Sequence, residues 1–311
     1  MLTDQYPPIS AADVPIAFIV FNRPEVTRKV FAAIKAMSPK ILLIVADGPR
    51  ASRSGEAERV QEVRAIVSEV DWPCDVRRNY ALVNMGCKVR VSSGLDWVFR
   101  QVDSAVILED DCLPGKGFLP YCAALLAQYR DNRKVYAISG SNFSRVEPVA
   151  GHYFSNYSLM WGWATWADRW QDYRIDSSDY RAVLPLVWSG RPLVFLYWRK
   201  IFKNLSTGRI DTWDYQWMLT VWRNRGLVAR PTKNLVKNIG FGNDATHTTE
   251  LSAKTANVPL SDVHEGFDRP VAGIFVDLQR DKVDEREWAV ISIRAIMLMY
   301  FPWLSIFRRG K

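Results

Sequence analysis

The chain lacks the glycine signatures that mark most nucleotide-binding sheets. Its 311 residues hold no G-x-G-x-x-G behind the first apolar run and no G-x-x-x-x-G-K-[ST] anywhere. That excludes a Rossmann dehydrogenase and a P-loop NTPase, and any bound phosphate must be neutralised by other means. Cysteine and histidine are scarce. Cys74, Cys87, Cys112 and Cys122 form no C-x-x-C pair, and His152, His247 and His264 show no zinc spacing. A structural zinc module is excluded, and the cysteines read as reduced thiols of a cytoplasmic protein. No RNA-recognition signature, zinc-finger spacing or basic zipper accompanies the net charge of +8, so nucleic acid is not the expected partner. The opening "MLTDQYPPISAADVP" is polar and Pro-rich, and reads as neither a signal nor a transit peptide. An aspartyl-phosphate enzyme would carry D-x-D after its first strand, and "FNRPEVTR" has none. The same stretch lacks the Gly-rich basic loop that a sugar nucleotidyltransferase would place there.

What is present is an ordinary globular composition, 48% hydrophobic and 24% charged, with enough chain for a large core. Short apolar runs alternate with helical patterns. "PIAFIVFNRP", "KILLIVADGPR", "CDVRRNYAL" and "SAVILEDD" read as strands. "EVTRKVFAAIKAM", with Val26, Val30, Phe31 and Ile34 at helical spacing, "GEAERVQEVRAIVSEV" and the stretch closing in "GLDWVFRQV" read as helices. Continuous apolar strands between helices predict an α/β fold with a mainly parallel sheet covered on both faces. The second half is less regular: a helix at "FLPYCAALLAQYRD", a strand at "KVYAISGSNF", an aromatic segment turning helical near Thr165, a helix at "DTWDYQWMLTVWRNRG", and a strand and long loop after it. Thirteen Trp either line a ligand site or fill cores, and for any one of them core filling is the simpler reading.

Ligands of such sheets bind beyond the carboxyl ends of the strands. Asn22, Asp47 and the triplet Glu109, Asp110 and Asp111 all stand at predicted strand ends. Three adjacent carboxylates behind a buried run repel one another, and packing gives no reason for them. A positive partner is expected, and a divalent metal is the obvious one for a site that must also hold phosphates.

The order of a strand ending on Asp47, then "NMGC", "VILEDDC", "WGWATW" and "DTWDYQW", resembles the nucleotide-sugar-dependent glycosyltransferases of the GT-A fold. It is similar to bacterial family-two-like enzymes of surface polysaccharide synthesis and to the N-acetylglucosaminyltransferase I group, over roughly residues 13 to 245. The resemblance implies a Rossmann-like sheet flanked by helices with an irregular acceptor-side half. It implies a metal-dependent inverting transfer from a nucleotide-diphosphate-sugar to a glycan or lipid-linked acceptor. Asp111 would be the ligand of Mn2+ or Mg2+, with His247 completing the shell. Glu109 and Asp110 would accept from ribose or sugar hydroxyls, and Asn22 and Arg23 would lie near base and ribose. Asp47 would accept from an imide N–H of the base, which favours a UDP-sugar, although Asp-Gly-Pro is also a turn signal in its own right. Asn84 and Gly86 match the Asn-x-Gly element, and Lys88 or Arg90 would reach the base or diphosphate. Asp214 would be the catalytic base, with Asp211 as runner-up; the second acid that often follows the base is replaced here by Tyr215 and Gln216. Trp161, Gly162, Trp163 and Trp213 would form the acceptor and sugar pocket, and "GFGNDATHT" (240–248) a loop that orders over the nucleotide.

Residues 1–12 read as a flexible tail, 13–250 as the transferase domain, and 251–284 as a linker. Residues 285–311 read as an apolar, basic helix suited to the inner face of the cytoplasmic membrane; Arg294 and Pro302 argue against a span. A sugar nucleotidyltransferase and a degenerate transferase acting as a nucleotide- or membrane-binding scaffold are the competing readings.

Overall fold

The computed structural model describes residues 10–143, 151–240, 258–261, 271, 273–301 and 303. Its first half alternates as expected: β1 (Ile16–Val20), α1 (Pro24–Met37), β2 (Ile41–Ala46), α2 (Glu56–Ile66), β3 (Asp75–Tyr80), α3 (Cys87–Val98) and β4 (Ser104–Glu109). Then come β5 (Cys112–Pro114), α4 (Phe118–Gln128), β6 (Val135–Ser139), β7 (His152–Ser155) and β8 (Trp163–Trp166). Four helices follow, α5 (Ala167–Trp170), α6 (Tyr180–Trp188), α7 (Pro192–Ser206) and α8 (Asp214–Arg223), before β9 (Leu227–Pro231) and β10 (Val236–Asn238). The chain closes with α9 (Leu278–Glu287) and α10 (Ile293–Tyr300).

Among the described residues eight strands form one sheet, in the order β3-β2-β1-β4-β8-β6-β9-β7. β7 and β8 run against the other six. The fold is α/β with a mainly parallel sheet, as the sequence predicts. β1 is buried along its whole length, so both faces must be apolar. Ile16, Phe18 and Val20 pack with α1 residues Val30, Phe31 and Ile34 and with α4. Ala17 and Ile19 face the other way, onto α3 residues Val91, Leu95 and Val98 and α8 residues Trp217 and Val221. Pro24 opens α1, where its missing N–H costs nothing, and Ser38 closes it with φ 46°.

The acceptor-side half is more regular than expected. α6, α7 and α8 build a third core in which Trp188, Trp198, Trp222 and Tyr157 pack at edge-on and stacked angles. α8 lies between two cores, with Trp217 toward the sheet and Met218, Leu219 and Trp222 toward α6 and α7. α9 crosses from the segment read as a linker into the one read as a terminal helix, and its Asp281, Asp284 and Glu285 are buried. Its buried face is charged, so no apolar periodicity gave it away.

The sheet order places a switch point between β1 and β4: the chain moves outward through β2 and β3, then returns to the other side of β1. The carboxyl ends of these two strands bound a crevice of the kind that takes ligands in open α/β sheets.

Candidate functional site

The crevice is bridged by charge. Arg23, following β1, sets its guanidinium on Asp110 and reaches Asp111 Oδ2 at 3.0 Å. The positive partner of the acidic triplet among the described residues is thus an arginine of the neighbouring strand end. Phe21 N also donates to Asp110 Oδ2, at 3.4 Å. Asp110 is 3% exposed, and burial raises its carboxyl against the pull of Arg23. Glu109 is pushed up to about 8, by burial first and then by Asp111 and Asp110, with Arg23 opposing and Asp214 adding to the rise. One guanidinium does not neutralise this cluster.

The backbone folds tightly over it. β10 pairs with β5 directly after the triplet, and Ile239 N donates to Asp111 O at 2.8 Å. A Cβ on Gly240 would lie 2.3 Å from Asp111 Oδ2 and 2.7 Å from Arg23 Nη1, so any larger residue here must displace the Arg23–Asp111 pair. The rest of the loop expected over the nucleotide, with His247, lies outside the described residues.

Asp214 begins α8. Tyr215 N donates to its Oδ1 at 2.9 Å, and the Thr212 hydroxyl donates to the same oxygen. Lys88 of α3 pairs with Asp211 at 2.8 Å rather than standing clear for a phosphate. The Cys87 thiol, open at the cleft mouth, is raised to about 12 by the desolvating walls and by Glu109, Asp214, Asp211 and Asp47. The start of α3 thus touches both the Asp47 carboxylate, through Gly86 N, and Asp211 just ahead of α8, through Lys88.

Several expected ligand contacts are spent on the protein itself. Asp47 accepts from Gly48 N at 2.8 Å and Met85 N at 2.9 Å through Oδ1, and from Asn84 Nδ2 at 2.9 Å and Gly86 N at 3.2 Å through Oδ2. It organises the turn into α3, where Gly86 has φ 78°. Arg90 is 4% exposed and donates to Ala46 O, Asn79 O and Asn79 Oδ1 at 3.1, 2.6 and 2.7 Å, which ties strand ends together. Asn22 donates to Glu56 Oε1 at 2.9 Å. Glu56, held down to about 2 by the Arg50 side chain, escaped the sequence reading; its signal was an acid in the first turn of "GEAERV".

The aromatic segment also falls differently. Trp163 is fully buried and stacks on Trp213 with ring centres 5.7 Å apart; Trp217 joins them. Trp213 is 3% exposed. Both fill the core under α8, so neither offers a face to a sugar. Gly162 has φ 63°, and a Cβ there would meet Val236 Cγ2 at 2.5 Å, so its close approach is to β10. Trp161 is partly buried, edge-on to Phe143 at 5.1 Å.

No protein-family model matches the chain, and no curated protein matches it. Among solved structures it is similar to the mannosyltransferase PcManGT from Pyrobaculum calidifontis in complex with GDP-Man and Mn2+, at 15% identity and a TM-score of 0.31, over 52% of this chain and 48% of that one. The chain thus spans about half the length of that structure. It is also similar to a UDP-glucose pyrophosphorylase complexed with UDP-glucose, at 9% identity, TM-score 0.34, over 70% and 90% of the two chains. A 4-diphosphocytidyl-2C-methyl-D-erythritol synthase from Anaerococcus prevotii gives 11% identity, TM-score 0.31, over 55% and 78%. At these superpositions the likenesses carry no argument for the chemistry of this chain.

A divalent metal can be tested against the residues themselves. No three His, Cys, Asp or Glu side chains among the described residues converge to hold an ion alone. Mg2+ and its like need no such cage, because one or two carboxylates and substrate phosphates complete the shell. The donor set fits: hard oxygens, more negative charge than Arg23 offsets, and Asp111 still 15% exposed in its side chain.

Proposed function

We propose that the chain is a nucleotide-sugar-dependent glycosyltransferase with inverting chemistry. The observation that supports this reading is the Glu109–Asp111 cluster at the β1/β4 switch point, whose Asp110 and Asp111 share Arg23. An anionic nucleoside diphosphate entering so acidic a space requires added positive charge. Asp111 would hold Mn2+ or Mg2+, which when bound supplies that charge against the departing diphosphate. Asp214 takes the proton of the acceptor hydroxyl as that oxygen attacks the anomeric carbon. Tyr215 N and Thr212 fix the rotation of the Asp214 carboxylate through Oδ1. Glu109 would accept a hydrogen bond from a ribose or sugar hydroxyl. The acceptor in this reading is a glycan or a lipid-linked sugar, as in bacterial surface polysaccharide synthesis. The preference for uridine rested on Asp47, whose oxygens are occupied by four N–H donors of its own chain. The base is therefore open.

The test is thermal unfolding with UDP-, GDP- and dTDP-sugars, each with Mn2+ and with EDTA, followed by turnover. A donor at a hundred times its Kd adds about 2.7 kcal/mol of stability. One nucleotide class should stabilise the wild type only with metal and should not stabilise Asp111→Ala. Asp214→Asn should bind that donor unchanged while turning over about a hundred- to ten-thousandfold more slowly. Pyrophosphate in place of nucleoside diphosphate as product would replace this reading with a nucleotidyltransferase. No stabilisation by any donor would replace it with a scaffold.

A further inference from the structure

The net charge of the chain is unevenly placed. Residues 180–209 carry six Lys or Arg and no Asp or Glu, and residues 288–311 carry four and none. These two stretches hold +10 against +8 for the whole chain, so the other 257 residues sum to −2. The stretches are distant in sequence, yet the fold joins them. α10 packs on α7, where Ile296 is buried, Tyr300 Oη donates to Leu196 O at 2.9 Å, and Lys200 Nζ stands 5.4 Å from the centre of the Tyr300 ring. α6 packs on α7 through Val183, Leu184 and Trp188.

What this packing leaves outside is apolar. Half of the large apolar side chains exposed among the described residues fall in these two stretches. Leu186 and Leu193 are 47% and 40% exposed, Met297 47%, Phe301 50% and Trp303 57%. Arg181, Arg199, Lys203, Arg209 and Arg294 are exposed in the same two stretches, with no acidic side chain interleaved.

We propose that the face built by α6, α7 and α10 docks on an anionic lipid surface. Cations attract the headgroups while half-exposed Trp, Phe, Met and Leu enter the acyl boundary. A second copy of the same face would bring its exposed arginines and lysines against those of the first, which repels. Nucleic acid would answer the charge and leave the apolar side chains unmet. No helix among the described residues is long and apolar enough to cross a membrane, so the contact is with the surface.

Flotation of the full chain with vesicles tests this. The wild type should float with phosphatidylcholine–phosphatidylglycerol vesicles, release on added salt, and stay down with phosphatidylcholine alone. Arg199→Gln with Lys203→Gln should weaken partition roughly thirtyfold, as expected for two cations near the surface. Phe301→Ser with Trp303→Ser should weaken it independently, with thermal unfolding showing that both variants stay folded. The proposal is overturned by no flotation with anionic vesicles, by equal flotation with neutral ones, or by indifference to both variants. It is equally overturned by a dimer in light scattering that Phe301→Ser with Trp303→Ser dissolves.

Discussion

Two clusters of buried acids lie at opposite ends of the chain and obey different rules. Around α9, each acid has a partner made for it. Asp284 pairs with Arg230, both fully buried. Asp281 accepts from Ser155 Oγ at 2.5 Å and Asn156 Nδ2 at 2.9 Å. Glu285 takes Tyr157 Oη and Arg191 Nη1, both at 2.7 Å. At the β1/β4 crevice three consecutive acids share Arg23, which bonds Asp110 and Asp111, and Asp214 adds to the field that raises Glu109. The first cluster finds its partners within the protein and holds α9 to β7 and β9. The second is under-neutralised, with more carboxylate than the one guanidinium of Arg23 offsets. Counting acids does not separate the two, whereas counting their partners does.

The difference is broken most severely at the matched cluster. Asp284→Ala leaves the Arg230 guanidinium buried without its counterion, which costs about 3–5 kcal/mol. Replacing both partners at once, with Arg230→Met and Asp284→Leu, removes the charge as well as the bond and should recover most of that loss. Urea unfolding of the single and double variants reads this directly. A loss below about 1 kcal/mol for Asp284→Ala would show the pair to be worth no more than an exposed one.

A smaller effect separates the clusters by pH. Glu109 rises from its ordinary 4.5 to about 8, by burial and then by its acidic neighbours. Asp281 rises from 3.8 to about 6, by burial against its hydrogen bonds. A carboxyl raised in the folded state gives stability that is fully present below its unfolded value and lost as pH rises through its folded value. The advantage of wild type over Glu109→Gln should therefore decline between about pH 4.5 and 8, and that over Asp281→Asn between about pH 4 and 6. Urea midpoints across this range check both. Coincident windows would mean that the crevice is no less neutralised than the α9 cluster.

The sequence showed the crevice well because its signals are strong ones. Unbroken apolar strands ending on Asn22, Asp47 and Glu109 can only belong to a covered parallel sheet, and topology then carries their ends together. Side-chain destinations were less legible. Trp163 and Trp213 carry the same indole whether it stacks on a sugar or on Trp217, and only the position of α8 decides. α9 was hidden because its inward face is ionic, so the apolar period that marks a docked helix is absent from "LQRDKVDERE". Asn22 and Arg90 were expected to face a ligand. Their partners Glu56 and Asn79 sit on neighbouring elements, which pattern along one strand does not reveal.

The smallest expected effect is the most discriminating for Asp47. Its two oxygens take four N–H groups from Gly48, Asn84, Met85 and Gly86, so it positions the turn that opens α3. Asp47→Asn exchanges one acceptor oxygen for a donor and sets N–H against N–H at two of these contacts, a cost of about 2 kcal/mol. A positioning residue weakens every nucleotide class by the same factor, because the whole turn shifts beneath the donor. A residue that reads the base changes the ratio between UDP-, GDP- and dTDP-sugars. Donor affinities of Asp47→Asn measured against all three should fall in parallel. A selective loss for one base would return Asp47 to direct recognition, with a turn that opens on binding to release its carboxylate.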